Sequence, residues 1–220
     1  MSKEIKISDL HTKSLLPLIA ASSALRRMKI LKELITVASS RKIPFIKIYE
    51  TLLQNYLFVG YPSALLSLKL LKELYPNKKL PKAADMNLYH FRKRGEANCK
   101  KVYGRKYEKL ISNVKNFSPD MAEWLVLEGY GKVLSRKGLY MMERELCIVA
   151  VLTVLKFDDQ LYSHINGAYG AKATIEEIYS VIESLSFIGN RNLTSFGLEV
   201  LSRYKKEKGM HALRIPSKGL

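Results

Sequence analysis

The side chains able to do nucleophilic or acid–base chemistry are few: two cysteines, Cys99 and Cys147, and four histidines. The cysteines stand 48 residues apart, a spacing that belongs neither to a disulfide framework nor to a zinc site. No metal and no cofactor are expected, and the thiols fit a reducing, cytoplasmic setting. His164 is placed differently. The chain repeats itself weakly at an offset of 130 residues, pairing Leu31 with Leu161, Ala38 with Ala168, Lys42 with Lys172, Ile48 with Ile178, Leu68 with Leu198 and Leu71 with Leu201. Against that offset His164 falls on Leu34 and Glu145 on Leu15. If either half keeps a site, it is the second. Glu145 and His164 lie on consecutive predicted helices joined by a short turn near Lys156-Phe157. In such a hairpin they differ in height by about one helical turn, on the order of 6 Å.

The elements that position them are helices. Leu25, Met28, Ile30, Leu31, Leu34, Ile35 and Ala38 follow the spacing of one buried helical face. Pro44 opens a second helix, Gly60-Tyr61-Pro62 breaks it, and Ser63 to Leu74 form another. Ser118-Pro119-Asp120 reads as an N-cap, a proline in the first turn and an acid favoured by the helix dipole. Further helices run from about Tyr140 to Leu155, from a cap at Asp158 to near Gly170, and from a Thr174–Glu177 capping box. No alternating run is long enough for a sheet. The expected fold is all-α, with residues 1–75 as a degenerate first repeat, 76–116 as a basic connecting segment, 117–205 as the second repeat and 206–220 as a tail.

Composition excludes little. With 47% hydrophobic and 26% charged residues the 220-residue chain is ordinary for a globular protein. No apolar run reaches the roughly 18 to 20 residues of a membrane span, and no signal peptide is read in the apolar stretch after Leu15. The net charge of +17 is unusual and attracts anions. Nine lysines and three arginines against three acids fall in residues 76–115, about half the excess. Tyr89, His90, Phe91, Tyr103 and Tyr107 are interleaved with them, as on a single-strand-binding surface. No motif of a nucleic-acid module accompanies the charge, which favours a solvated connecting segment over a nucleic-acid partner.

Several fragments resemble carboxymuconolactone decarboxylases, in order and almost without gaps: Arg94-Gly95-Glu96-Ala97, Val102-Tyr103-Gly104, Phe117-Ser118-Pro119-Asp120, Gly131 to Leu139, Arg144-Glu145-Leu146, Leu161 to Ala168, and the Thr174 capping box. Gly60-Tyr61-Pro62-Ser63-Ala64-Leu65 resembles the family's Gly-aromatic-Pro-Ala-Ala-Leu signature. The wider superfamily includes alkylhydroperoxidase D proteins, which use a Cys-x-x-Cys pair with a His four residues later and a Glu one helix earlier. In this register the thiols are replaced by Phe157 and Gln160, while Glu145 and His164 remain. A dithiol peroxidase mechanism, which needs both sulfurs, is therefore not expected. This chain also carries Lys172 where the family usually has Gly, and Asn192-Leu193-Thr194 where it has Pro-Ala-Ala.

The resemblance implies a lyase acting on a small carboxylated lactone or ring acid. His164 would protonate the carbon that carbon dioxide leaves. Glu145 would orient the imidazole, and Arg144 and Arg136 would hold substrate carboxylates. Tyr130 stands where the family often carries Trp, with core packing and pocket lining both open. The resemblance also implies self-association, as a dimer or trimer of two-repeat chains. The alternative is a non-catalytic oligomerisation or ligand-binding member whose basic face meets an anionic partner.

Overall fold

A computed structural model describes residues 10–83, 86–189 and 191–210. These are helical, with no strand among the described residues. Helices α1 (Leu15–Ala24), α2 (Met28–Ser40), α3 (Phe45–Gln54) and α4 (Tyr56–Leu74) form the first half. Next come α5 (Leu88–Tyr103), α6 (Tyr107–Phe117) and α7 (Pro119–Trp124), the last continuing into a π-helical stretch, Leu125–Val133. Helices α8 (Met141–Leu155), α9 (Asp158–Gly170), α10 (Ile175–Ser184) and α11 (Arg191–Glu207) complete the chain.

Two helices make the centre. Every residue of α1 is buried, and so is every residue of α8 from Arg144 to Val154. A helix buried all round has no polar face to offer solvent, and these two pack against each other and against α2 and α9. The outer helices α2, α3 and α10 bury one stripe each, such as Leu31, Leu34, Ile35 and Ala38 of α2. Start signals fall as expected. Pro44 precedes α3, Ser118 accepts from the Met121 amide with Pro119 in the first turn, and Thr174 and Glu177 form the capping box of α10. Gly60, at φ 72° and ψ 174°, kinks α4 where a break was predicted. One cap differs: Phe157 stands at the N-cap of α9 and Asp158 is its first helical residue, still favoured by the helix dipole and paired with Arg203.

The 130-residue offset reappears in geometry. The bounds of α2 and α9 differ by it, as do those of α3 and α10. Among the described residues, the four non-glycine residues with positive φ form two pairs at the same offset, Arg26 (54°) with Lys156 (58°) and Lys42 (59°) with Lys172 (75°). The left-handed backbone at Lys172 gives a physical reason for glycine at this position in similar proteins. Ion pairs at corresponding positions join the halves: Lys13 to Glu177 at 2.8 Å, and Lys47 to Glu143.

The basic segment 76–116 is largely helical. Phe91, Gly95, Cys99 and Val102 form the buried face of α5, which lies along the π-helical stretch at backbone contact. A Cβ at Gly95 would sit 2.1 Å from the Val126 carbonyl oxygen, and one at Gly131 2.1 Å from that of Phe91. Only glycine allows this approach. The aromatic residues between the charges are mostly turned inward: Phe91 and Tyr107 are buried and Tyr103 is half-buried, leaving Tyr89 and His90 exposed. The interleaving thus serves packing more than a continuous stacking platform. Lys100, Lys101, Arg105 and Lys106 remain an exposed cluster at the end of α5. No helix among the described residues is long and apolar enough to cross a membrane.

Candidate functional site

Glu145 and His164 meet. His164 Nδ1 lies 2.8 Å from Glu145 Oε2, with the carboxylate fully buried and the imidazole nearly so. The turn at Lys156, left-handed at φ 58°, folds α9 back along α8 and brings the two positions into register. Gly167 supplies the clearance, since a Cβ there would stand 2.7 Å from Glu145 Oε2. The second carboxylate oxygen, Oε1, is buried without a hydrogen-bond partner. With Nδ1 engaged by Glu145, the other ring nitrogen, Nε2, is left for a ligand.

His164 forms part of the wall of a cavity of about 350 Å³. Six aromatic residues line it, Tyr56, Phe58, Tyr61, Tyr103, Trp124 and Tyr130, and Phe58 meets the imidazole edge-on at 6.1 Å. Tyr130 therefore serves both as buried core and as pocket wall. It comes from the π-helical stretch, whose wider turn also carries Glu128 into the lining. Glu128 accepts from the Tyr56 hydroxyl at 2.7 Å and pairs with Lys132 at 3.3 Å. Tyr61, Met121 and Trp124, also in the lining, are each more than half exposed.

Arg144 and Arg136 are not in this cavity's lining. Both are committed to Glu50 of α3, which is 1% exposed. Arg136 donates through Nε and NH2 to Glu50, Arg144 donates to Glu50 Oε2 at 3.1 Å, to Gln54 Oε1 at 3.0 Å and to the Arg136 carbonyl at 2.7 Å. Burial pulls the Arg144 guanidinium below its ordinary value, while the Glu50 carboxylate pulls it up. The arginines expected to hold substrate carboxylates thus stand apart from this cavity: they neutralise a buried carboxylate elsewhere, and no lysine or arginine is among the described residues that line it. Sequence reasoning missed Glu50, Tyr103 and Tyr56. Only the match of Tyr103 to the Val-Tyr-Gly fragment carried any signal.

The thiols are inert by position. Cys99 and Cys147 are buried and unpaired, and burial pushes each up to about 12. Almost no thiolate exists at neutral pH. In native protein both should resist a disulfide-exchange reagent that labels them at once in urea; fast native labelling of either would contradict this placement.

The Glu128 carboxyl is held below its ordinary value of 4.5, first by the Tyr56 hydroxyl, against burial, and then by Lys132. A carboxylate with a depressed folded pKa stabilises the fold above its unfolded pKa and loses that contribution as pH falls through the folded one. Tyr56→Phe should therefore raise the Glu128 titration midpoint, followed by its carboxyl carbon resonance. An unmoved midpoint would exclude the Tyr56 contact as the cause.

No protein-family model matches the chain. Over 138 residues it is 30% identical to Peroxisomal protein 2 of Schizosaccharomyces pombe, covering 61% of this chain and 64% of that protein. The chain thus spans just under two thirds of that relative's length. Over 110 residues it is 24% identical to 4-carboxymuconolactone decarboxylase of Acinetobacter baylyi, covering 50% of this chain and 82% of that protein. The similarity to a carboxymuconolactone decarboxylase is distant. It supports that family over half the chain, and the all-α bundle agrees with it.

Proposed function

We propose that this chain is an acid–base lyase on a carboxymuconolactone decarboxylase-like scaffold, acting on a small ring acid or lactone without a thiol. The observation that carries the reading is the 2.8 Å contact between His164 Nδ1 and Glu145 Oε2 in the wall of an apolar cavity. When the bond from ring to carboxylate breaks, carbon dioxide leaves and the electron pair stays on the ring. The His164 imidazolium then gives its Nε2 proton to that carbon, and Glu145 holds the ring orientation and the charge. The test is turnover of a panel of ring carbonyl acids in deuterium oxide. Carbon dioxide release with one deuterium in the product is expected, with loss of about 100-fold or more in His164→Ala. Turnover indifferent to His164, or none by folded wild type, would remove the reading.

A second reading has its own observation, the exposed cluster Lys100, Lys101, Arg105 and Lys106. As a non-catalytic binding module, the protein would lose a salt-dependent interaction with an anionic partner when these are neutralised, and His164→Ala would leave that interaction in place. The cytoplasmic placement rests on the unpaired thiols, whereas the name of the Schizosaccharomyces pombe relative assigns that protein to the peroxisome. We also read residues 23–75 and 140–205 as two copies of one helical unit, supported by the recurring helix bounds and left-handed turns. Self-association is supported by Tyr61, Leu65, Phe117, Met121 and Trp124, all more than half exposed. Light scattering should give a dimer or trimer of chains, and a monomer mass across micromolar concentrations would count against it.

A further inference from the structure

Two tyrosine hydroxyls in the cavity wall have no part in the proton transfer described above. Tyr130 is 2% exposed and donates its hydroxyl proton to Tyr103 Oη at 3.0 Å, the rings meeting edge to face at 5.9 Å. Tyr130 has a single proton to give, and it is committed. Tyr103 receives at its oxygen, so its own proton points elsewhere, and no acceptor for it is found among the described residues. A half-buried hydroxyl donor in an aromatic wall calls for an acceptor. We propose that this acceptor is the carbonyl oxygen of the substrate, and that the substrate is a small cyclic carbonyl compound carrying no carboxylate beyond the one that departs.

Charge decides between a carbonyl and a carboxylate. The described lining residues include no lysine or arginine, and Glu128 stands among them already neutralised by Lys132. The Glu145 carboxylate lies behind His164 and near enough to Tyr103 and Tyr130 to disfavour their ionisation. A second permanent carboxylate here would be stripped of water with no lysine or arginine to meet it, close to two other carboxylates. A carbonyl oxygen meets no such penalty on entry. It gains charge only during reaction, when the electron pair left on the ring moves into the carbonyl as an enolate. Tyr103 then donates to a forming oxyanion, strengthened by the bond it accepts from Tyr130. Burial keeps both hydroxyls protonated for this task, with Tyr103 pushed up to about 12. Tyr103 is the catalytic donor in this scheme and Tyr130 a positioning residue.

This proposal rests on His164 as the acid–base group, and one probe separates the two. Cyclohex-2-enone in deuterium oxide reports both steps. His164 Nε2 removes a proton from the saturated carbon next to the carbonyl, the C–H electrons pass through the new C=C bond to the oxygen, and a deuteron returns to that carbon. Wild type should exchange that proton and lower the carbonyl infrared band of the bound probe. Tyr103→Phe should lose the band shift and slow exchange by about 100-fold, the effect of deleting one oxyanion donor. Tyr130→Phe should move the band part of the way back, which packing alone would not do; it also keeps the test open should Tyr103→Phe fail to fold. Wild-type exchange and band position in both tyrosine variants, with exchange lost in His164→Ala, would overturn the tyrosine assignment and leave His164 standing. Binding of cyclohexane-1,2-dicarboxylate in preference to the enone would overturn the substrate class. Exchange that survives His164→Ala, or a wild type that binds neither probe, would overturn both.

Discussion

Glu50→Ala is expected to lower the unfolding free energy by about 3–5 kcal/mol, the cost of leaving buried charge uncompensated. Glu50 is the shared partner of Arg136 and Arg144, and Arg144 is only 1% exposed. Without the carboxylate, Arg144 keeps Gln54 and the Arg136 carbonyl as hydrogen-bond partners but has no countercharge, and its Nε already lacks a partner. Urea denaturation followed by circular dichroism measures the loss as a shift in midpoint at unchanged slope. Removing the stranded cation as well, in Glu50→Ala/Arg144→Met, should recover much of it, because an apolar side chain of similar length tolerates the site better than an unpaired charge. An unchanged midpoint in Glu50→Ala would show that water or a neighbour compensates the arginines. The network joins α3 to the turn before α8, so its loss should also weaken cohesion between the two halves.

The second large effect concerns the site pair itself. His164→Leu should destabilise by about 3–5 kcal/mol, whereas Glu145→Leu/His164→Leu should fold within about 1 kcal/mol of wild type or better. The single change leaves a fully buried carboxylate with no partner on either oxygen, one of which is already orphaned. The double change gives the second half what the first half has, because Leu15 and Leu34 occupy the corresponding positions and are fully buried. Both variants should lose proton transfer. The comparison separates the two roles of the pair: equal stability of single and double variants would mean that Glu145 does not depend on His164, and activity in the double variant would place the chemistry elsewhere.

Local signals made the helices readable and long-range ones hid much of the site. Pro44, Ser118-Pro119 and Thr174-Glu177 act within a turn of their own position, so each start could be placed from neighbouring residues. The Glu145–His164 contact could be anticipated because one hairpin joins the two. Glu50 could not: its arginines lie 86 and 94 residues away, and within α3 it reads as an ordinary charged residue. Arg144 and Arg136 were legible as cations, but whether a cation faces a cavity or a buried acid depends on a helix far along the chain. Tyr103 and Tyr130 come together only because α5 and the π-helical stretch approach at Gly95 and Gly131. For the aromatic residues among the lysines of α5, composition carries no direction. The spacing of Phe91, Gly95, Cys99 and Val102 does carry it, and it points inward.

The ion pairs at corresponding positions in the halves bear on how such a chain could be taken apart. At the 130-residue offset, Lys13 corresponds to Glu143 and Lys47 to Glu177, so both contact positions are cationic in the first half and anionic in the second. On the two-copy reading, a pair of first halves would set Lys13 against Lys47 twice over, and a pair of second halves would oppose Glu143 and Glu177 in the same way. On that reading each half would repel its own copy at these contacts and attract the other. Expressed as separate polypeptides, the halves are expected to favour a mixed pair, because only that pairing sets lysine against glutamate at both contacts.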